Sequence, residues 1–471
     1  MRSIVWFRED LRVQDNPALF EATEASIDGV VGLYIIDESM WQKNNVASCR
    51  VEFILRGLAQ LSKTLAQLNI PLLIRHVKKT ADVPEVIWML MEQVKANTLF
   101  FNRQYELNAL ERDQAIESFL HKHAMKTESC HDQVILKPRE DHSKTFIAYK
   151  KIWTKQFIQQ GGIRLLPSIY EQRPLGISSD PVPSKLPHFH SSVPKTLWQA
   201  GEQAGLERLT SFVQTDLINY EKICDYPAID GTSRLSPYLA SGMISPRKCF
   251  LQALEFNDHR LGDGYPGAVK WMNELIWRDF YKHIVLTVPR ICSGEAYQAE
   301  TQHIAWHFEQ KQYDAWVEGR TGFPIVDAAM RQLNATGWMH NRLRLITATF
   351  FTKYMFFDWR IGEKHFMRHL IDGDFSANNG GWQWCASTGV DTTAYFRFFD
   401  PLRQSDRYDP EGTFIKSYCP ELVDISAFAV HFPHTRARAQ AEKTSYPRPI
   451  LDLKESRAKA NEAFRGGVKK K

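Results

Sequence analysis

The stretch Ile371–Gly389 concentrates side chains that could bind a ligand. Its notable residues are Asp372, Gly373, Asp374, Asn378, Asn379, Gly380, Gly381, Trp382 and Trp384. Asp-Gly-Asp and Asn-Asn-Gly-Gly are typical of turns, because the side chains bond nearby backbone and Gly permits unusual dihedral angles. Two Trp separated by one residue would point to different faces of a helix and so would serve different neighbours. The sequence predicts a structured loop here, which either binds a ligand or uses its Trp to cap the core.

A second candidate is the segment Gly231–Ser236, which reads Gly-Thr-Ser-Arg-Leu-Ser and precedes a helical pattern at Pro237–Ser241. Hydroxyl groups, backbone N–H groups and a guanidinium near a helix start all favour a phosphate. An ordinary N-cap has the same composition. Taken alone, this segment favours the ordinary cap over the anion site.

A predicted helix at Trp271–Tyr281 has a face with unusual chemistry for a core. Its members, spaced at i, i+3, i+4 and i+7, are Glu274, Trp277, Arg278 and Tyr281. An indole surrounded by polar groups suits a stacked nucleic-acid base. Trp271 and Leu275 fall on the flank of the helix, where they can face inward.

Basic and amide side chains follow Gly337. The group comprises His340, Asn341, Arg342 and Arg344, and further polar residues next to aromatic ones are Arg397 and Gln404. A solvated basic face explains the first group as well as a binding face does.

The elements that must position these residues differ between the two halves of the chain. Residues 1–130 alternate apolar strand-like runs with amphipathic helices, a pattern typical of a parallel sheet covered on both faces. We therefore predict an α/β Rossmann-like domain of about five strands. The turn after the first run reads Arg-Glu-Asp-Leu-Arg, without Gly-x-Gly-x-x-Gly, so a dinucleotide in the usual first turn is not expected.

The rest of the chain is predicted to be a linker and an all-α domain. Residues 131–195 lose periodicity and are rich in Pro, which predicts a linker wrapped on a surface. Residues 196–471 carry helical patterns, for example a helix that begins at Pro324 and ends at Gly337, with the next beginning at Trp338. The last residues read as a basic, frayed tail.

Composition favours a globular protein without a membrane span. The 471 residues are 44% hydrophobic and 24% charged, with a net charge of +5, which is compatible with nucleic-acid binding without indicating it. The seven Cys are scattered without a Cys-x-x-Cys pair, so we expect no metal site and reduced thiols in the cytoplasm. No leader peptide and no long apolar segment are predicted.

Taken together, these motifs resemble the DNA photolyase/cryptochrome family in order and spacing. The Trp-Phe-Arg-x-Asp-Leu-Arg opening at residues 6–12 and Tyr-Cys-Pro-Glu-Leu at residues 418–422 add to the resemblance. It extends over essentially the full chain and is greatest to the bacterial class I photolyases that repair cyclobutane pyrimidine dimers. It implies an enzyme, a carbon–carbon lyase driven by light, in which electron transfer from reduced FAD splits the dimer.

The resemblance also implies roles for individual residues. Positions that match FAD contacts are Tyr220, Thr232, Ser233, Arg234, Leu235, Ser236, Trp271, Arg344, Asp372, Gly373, Asp374 and Asn378. Positions that match an electron relay are Trp306, Trp359 and Trp382. Positions implied to contact damaged DNA and a flipped-out dimer are Glu274, Trp277, Arg278, Tyr281, Asn341, Arg342, Trp384, Arg397 and Gln404. A monomer with damaged DNA as its partner is expected.

The family resemblance leaves two questions open. A cryptochrome-like photoreceptor without repair activity and a (6-4) photolyase are the alternative functions. Asn378, the two Trp of the dimer cavity and Asn341 favour repair of cyclobutane dimers.

The antenna is the second question, because relatives that bind a folate use a His, an Asn-Glu pair and a Cys-Lys pair. Here the matching positions are Asn44, Asn108-Ala109 and Cys292-Ser293, so methenyltetrahydrofolate, another chromophore or none is expected.

Overall fold

Five short strands form one parallel sheet at the beginning of the chain. They are β1 (Arg2–Phe7), β2 (Val30–Asp37), β3 (Leu72–Val77), β4 (Ala96–Asn102) and β5 (Lys126–Cys130). The structure is a computed structural model that describes residues 2–139, 143–391, 398–436 and 445–468, without the side chains of Arg436 and residues 465–468. The sheet confirms the predicted Rossmann-like α/β fold.

The strand order is β3-β2-β1-β4-β5, and all four neighbouring pairs are parallel. The chain therefore builds the sheet outward from β1 in one direction and then from β4 in the other. In such sheets the carboxyl ends of the two strands at the reversal flank a crevice where ligands bind. Here that position lies between β1 and β4.

Both faces of the central strands are buried, as their continuous apolar sequences predict. Every residue of β1 after Arg2 is buried, and so is every residue of β2 before Asp37. On one face Ile4, Leu33 and Leu99 belong to a core cluster that also contains Ile87 and Ile116. The sheet is thus a rigid base from which loops at the strand ends can project.

The helices follow in chain order. They are α1 (Pro17–Ala25), α2 (Glu38–Lys43), α3 (Ser48–Gln67), α4 (Val83–Val94), α5 (Leu107–Lys122), α6 (Phe146–Gln159), α7 (Glu202–Thr215), α8 (Tyr220–Ile223), α9 (Ser236–Ala240), α10 (Pro246–Phe256), α11 (Pro266–Thr287), α12 (Gln310–Val317), α13 (Pro324–Thr336), α14 (Asn341–Thr349), α15 (Trp359–His369), α16 (Phe375–Ala386), α17 (Pro401–Tyr408), α18 (Thr413–Tyr418), α19 (Pro433–Arg436) and α20 (Leu453–Val468). One turn of π-helix, Phe350–Tyr354, continues α14. Over the described residues after 195 no strand occurs, which agrees with the predicted helical half.

The chain groups into two compact units. The first comprises the described residues up to Glu221, together with Ser233–Cys292 and Ile371–Ser376. The second comprises Lys222–Thr232, Ser293–Leu370 and the described residues from Ala377 onward. The division of the sequence into 1–130, 131–195 and 196–471 remains a prediction.

Local sequence signals placed several helix ends correctly. Pro324 occupies the first turn of α13, and Gly337 ends that helix with a φ of +68°, a conformation that favours glycine. The next helix begins at Asn341 and not at Trp338, because the His340 side chain caps it by accepting from the Arg342 N–H. The prediction of Trp338 as a helix start was therefore wrong by three positions.

Helix α6 lies inside the segment that was predicted to be a linker. Its buried residues Tyr149, Trp153 and Phe157 recur every four positions, and Thr145 caps its first turn. The aperiodic Pro-rich sequence that follows obscured this short amphipathic pattern. No helix in the described part of the chain is both long and apolar enough to cross a membrane.

Candidate functional site

Residues 233–236 of the predicted anion segment belong to the first unit. Arg234 has a φ of +48°, which L-residues rarely adopt, and the Arg208 guanidinium donates to the Ser233 carbonyl at 2.9 Å. Leu235 is fully buried. The backbone of this segment is therefore held in a specific, uncommon conformation, as expected at a ligand site.

Phe212 on α7 brings two of the predicted FAD residues together. Its ring centroid lies 5.6 Å from that of Tyr220 and 4.9 Å from that of Trp271. Trp271 is buried, as its position on the flank of α11 predicted. Thr232, the neighbour of Ser233 in sequence, belongs to the second unit.

The Asp372–Asp374 loop is held by two buried cations of the first unit. The Arg50 guanidinium donates to the Gly373 carbonyl, to the Glu9 carboxylate at 2.6 Å and to the Ala240 carbonyl at 3.1 Å. The Lys282 ammonium lies 3.0 Å from the Asp374 carboxylate and 3.1 Å from that of Glu106.

These cations and carboxylates determine one another's protonation. Burial alone would lower the pKa of Lys282, but Asp374 and Glu106 outweigh it and raise that pKa. Burial would raise the pKa of Glu9, yet Arg50 and Lys282 hold it below the ordinary value. Both shifts favour the ionised forms of Lys282 and Glu9.

Asn378 and Asn379 lie in helix α16, not in the turn that their sequence predicted. The Asn378 amide donates to the backbone carbonyl of Glu363 at 3.0 Å, and the Asn379 amide donates to the Glu363 carboxyl at 3.0 Å. Gln383, one helical turn later, donates to Asn379 at 2.9 Å. These side-chain contacts stabilise a helix over a sequence whose local preference is for a turn.

Glu363 is therefore a buried group that organises the start of α16. Burial raises the pKa of its carboxyl to about 7, although the bond from Asn379 opposes this. The Asn378 side-chain N–H group donates to the Glu363 carbonyl, so the side-chain oxygen of Asn378 points away from that carbonyl. The side chain of Asn378 is thus oriented to present an acceptor.

The three Trp of the predicted relay all lie in the second unit. Trp359 and Trp382 are buried in its main core, whereas Trp306 is partly exposed and packs against that core. Among the described residues, none of the three indole N–H groups has a hydrogen-bond partner. Trp306 is thus nearer the surface than the two buried Trp, as an electron path from the surface into the core requires.

Trp382 depends on a close approach to helix α15. A Cβ added to Gly362 would lie 2.2 Å from the Trp382 ring, so only glycine fits there. The Trp382 ring also makes edge-on contacts with Trp316 at 6.3 Å and Phe366 at 4.9 Å between centroids. Trp316 was not singled out from the sequence, where nothing distinguished it from an ordinary core Trp.

The face of α11 that is predicted to contact a pyrimidine dimer is accessible to solvent. Glu274 is exposed, and Trp277, Arg278 and Tyr281 are partly exposed. Trp277 stacks on Phe146 of α6 with ring centroids 3.8 Å apart and planes at 7°. Arg278 donates to the backbone carbonyls of Gln133 and Leu239, so at least part of its guanidinium serves the fold.

The other predicted DNA residues belong to the second unit. Arg342 forms an ion pair with Asp225 at 2.9 Å, and its guanidinium lies 4.4 Å from the centre of the Tyr408 ring. Trp384 is partly exposed and stacks with Phe399 at 5.9 Å. Asn341 is exposed and Gln404 partly buried, while Arg344 donates to the Met339 carbonyl at 2.9 Å. Arg397 lies outside the described residues.

Asn44 and Asn108, at the predicted antenna positions, bond to each other. The Asn108 amide donates to the Asn44 side-chain oxygen at 2.8 Å. Cys292 is partly exposed and lies in a short 3₁₀ segment, Pro289–Ser293. In this structure the two amides therefore satisfy part of each other's hydrogen-bonding capacity. Among the residues described, no group of three His, Cys, Asp or Glu side chains could hold a metal ion.

Comparison with solved structures defines the class of protein. A bacterial class III photolyase from Agrobacterium tumefaciens aligns with a TM-score of 0.84 and 28% identity, covering 100% of this chain and 98% of that one. A cryptochrome from Synechocystis aligns with a TM-score of 0.85 and 25% identity, covering 98% and 99%. The chain thus has the photolyase/cryptochrome fold.

Sequence comparisons identify the family within that class. Family models described as "DNA photolyase" and "FAD binding domain of DNA photolyase" match residues 3–166 and 271–466. The deoxyribodipyrimidine photo-lyases of Salmonella typhimurium and Escherichia coli are each 40% identical to this chain over 99% of both proteins. The chain therefore belongs to the DNA photolyase family, as its motifs indicated, and FAD is its cofactor.

The donors and acceptors present fit FAD. Hydroxyls and a guanidinium at residues 233–236 suit a pyrophosphate, while the carboxylates of Asp372 and Asp374 suit hydroxyl and ring N–H donors. The buried Ser376 hydroxyl has no hydrogen-bond partner among the described residues. A buried hydroxyl in this state is expected where a polar ligand completes the site.

Proposed function

We propose that the protein repairs cyclobutane pyrimidine dimers in DNA in a light-driven reaction. The observation that carries this conclusion is the 40% identity to deoxyribodipyrimidine photo-lyases over 99% of both chains. The alternatives, a photoreceptor without repair activity and a (6-4) photolyase, are not favoured by these relatives. Bound reduced FAD supplies the chemistry, a light-driven electron transfer to the dimer and back.

The individual site residues are also part of this proposal. Those proposed to hold FAD are Tyr220, Thr232, Ser233, Arg234, Leu235, Ser236, Trp271, Arg344, Asp372, Gly373, Asp374 and Asn378. The orientation of Asn378 supports its assignment, because the bond to the Glu363 carbonyl leaves its oxygen free to accept from a ring N–H. Trp306, Trp359 and Trp382 are proposed to pass electrons inward, which the partial exposure of Trp306 and the burial of the other two support.

The proposed DNA contacts are divided between stacking and polar groups. Trp277 and Trp384 each rest on another aromatic ring and present flat apolar surfaces to a flipped-out dimer. Glu274 and Asn341 are exposed and can bond to base edges. Arg278, Tyr281, Arg342, Arg397 and Gln404 complete the proposed set. We further propose a monomer that acts in the cytoplasm.

The experiment that tests the function is repair of a defined lesion under controlled light. The purified protein, with its flavin chemically reduced, is expected to restore DNA carrying one cyclobutane thymine dimer under blue light and to leave it unchanged in darkness. A second DNA with a (6-4) photoproduct serves as the matched control and should remain unrepaired. Repair of the dimer in darkness, or no repair in light, would contradict the proposal.

A folate antenna is expected to bind weakly if at all. Compared with relatives that bind folate, the imidazole, the carboxylate and the ammonium are replaced by Asn44, Ala109 and Ser293. Loss of a charged acceptor and a cation would lower affinity by about two orders of magnitude. We expect FAD near full occupancy and folate well below it when chromophores released by denaturation are quantified against protein.

Restoring the lost groups provides the control for this prediction. The triple variant Asn44→His, Ala109→Glu, Ser293→Lys is expected to bind more methenyltetrahydrofolate than the natural protein after equal supplementation. A folate-to-FAD ratio near one in the natural protein would show that other side chains replace the missing groups.

A further inference from the structure

Charged side chains of the protein itself lie at the carboxyl ends of β1 and β4, where the strand order of the sheet reverses. A doubly wound sheet normally places a ligand outside the carboxyl ends of the strands at this point. Here Glu9 follows β1, Glu106 lies shortly after β4, and no glycine-rich turn is present. Two acidic side chains thus stand where other sheets bind an anionic dinucleotide, and they attract cations instead.

Two cationic side chains on separate helices contact these acids and also contact the Asp372–Asp374 loop. Arg50 on α3 connects Glu9 to the Gly373 carbonyl. Lys282 on α11 connects Glu106 to the Asp374 carboxylate. All six residues belong to the first unit, and the Arg50 and Lys282 side chains are only 5% and 2% exposed.

We propose that this edge of the sheet holds the Asp372–Asp374 loop in its FAD-binding conformation, with Arg50 and Lys282 as positioning residues. The inference rests on the proposed function, in which that loop contacts FAD. The α/β domain then has a role in the catalytic half of the protein that does not depend on any antenna chromophore.

Removing one partner from a buried ion-pair network is strongly destabilising, because the remaining charge is left uncompensated. The Asp374 side chain is 13% exposed, so a carboxylate there that loses its cation must either remain charged with little hydration or take up a proton. The Asp374 side chain would then move toward solvent and carry Gly373 with it. Because the loop has glycine at its centre, its backbone can rearrange without unfolding a helix.

The test compares Lys282→Met with Lys282→Arg and with a matched control, Arg8→Met. Arg8 also follows β1 and pairs with the buried Asp113 at 2.7 Å, but the described contacts of this pair do not include the loop. Each variant is stripped of flavin and titrated with FAD while the quenching of flavin fluorescence is followed. Thermal unfolding and amide hydrogen exchange at residues 371–376 are measured on the same flavin-free samples.

Lys282→Met is expected to lose roughly tenfold or more in FAD affinity, because the ion pair between Lys282 and Asp374 is removed. Its amides at 371–376 should exchange faster than those of the natural protein. Lys282→Arg should restore affinity to within about threefold, since a positive charge remains beside the Asp374 carboxylate. Arg8→Met should lower the unfolding temperature while FAD affinity and exchange at 371–376 stay unchanged.

Equal FAD affinity and equal loop exchange in Lys282→Met and the natural protein would overturn the inference. If Lys282→Met does not fold, Arg50→Lys is used in its place, because one ammonium cannot reach Glu9, Ala240 and Gly373 together. Unchanged FAD affinity in that variant would overturn the inference equally. Failure of the natural protein to take up FAD would instead contradict the proposed function.

Discussion

Trp306→Phe is expected to slow the photoreduction of bound oxidised flavin by roughly tenfold or more, equivalent to a barrier about 1.4 kcal/mol higher. Phe keeps most of the apolar volume that packs against Phe356 at 5.0 Å but removes the oxidisable indole. Trp306 is the partly exposed member of the proposed relay, so external donors would act through it. Transient absorption of the flavin under blue light measures the rate.

The same variant should keep its repair activity when the flavin is reduced chemically, because that treatment bypasses the relay. Trp338→Phe is the matched control, since Trp338 is a buried indole of the second unit without a proposed electron-transfer role. An undiminished photoreduction rate in Trp306→Phe would show that Trp306 only fills space. An equal loss in Trp316→Phe would indicate a second path, because Trp316 also contacts Trp382.

Trp277→Ala and Trp384→Ala are each expected to weaken binding of dimer-containing DNA by roughly tenfold or more. A base stacked on an aromatic side chain contributes about 1–3 kcal/mol. Phe146 supports one face of the Trp277 ring, and Phe399 supports Trp384 in the same way. Because each indole is held in place by its neighbour, little conformational entropy is lost when a base stacks on it.

Fluorescence anisotropy with labelled DNA, with and without one dimer, measures this effect. Trp88→Ala is the matched control, because Trp88 is a partly exposed indole of α4 that contacts the Phe119 and His123 rings in the α/β fold. It should leave lesion affinity unchanged. Retained affinity in both Trp277→Ala and Trp384→Ala would contradict the dimer-cavity assignment, and loss of FAD would show that these residues are structural.

Several features of this protein were determined by its local sequence. Buried apolar runs indicate the central strands β1 and β2, because a parallel sheet covered on both faces buries every residue of such a run. Pro324 and Gly337 specify the limits of α13 through fixed backbone preferences. The spacing of Glu274, Trp277 and Tyr281 specifies which face of α11 is accessible, because helical periodicity is independent of the rest of the fold.

The limits of local reasoning are clearest at α16 and α6. Asn378 and Gly381 favour turns when considered alone, yet their segment is helical because Glu363 pairs with the two Asn amides. The α6 pattern depends on three buried aromatic residues whose partners lie elsewhere in the chain. In both cases tertiary packing outweighs intrinsic preferences of about 1 kcal/mol per residue.

Only the tertiary structure decided how the Asp372–Asp374 loop is held. Arg50 and Gly373 are 323 positions apart in sequence, and Lys282 and Glu106 are 176 apart. No local pattern distinguishes Arg50 from a solvated arginine on a leucine-rich helix, or Lys282 from any lysine on α11. A cation finds its partners only after the sheet and helices have brought them within a few ångströms, because burial and distance together determine the strength of an ionic contact. The residue types and helical faces that could bind FAD and DNA can therefore be predicted from the local sequence. The groups that hold the Asp372–Asp374 loop are determined by the tertiary fold.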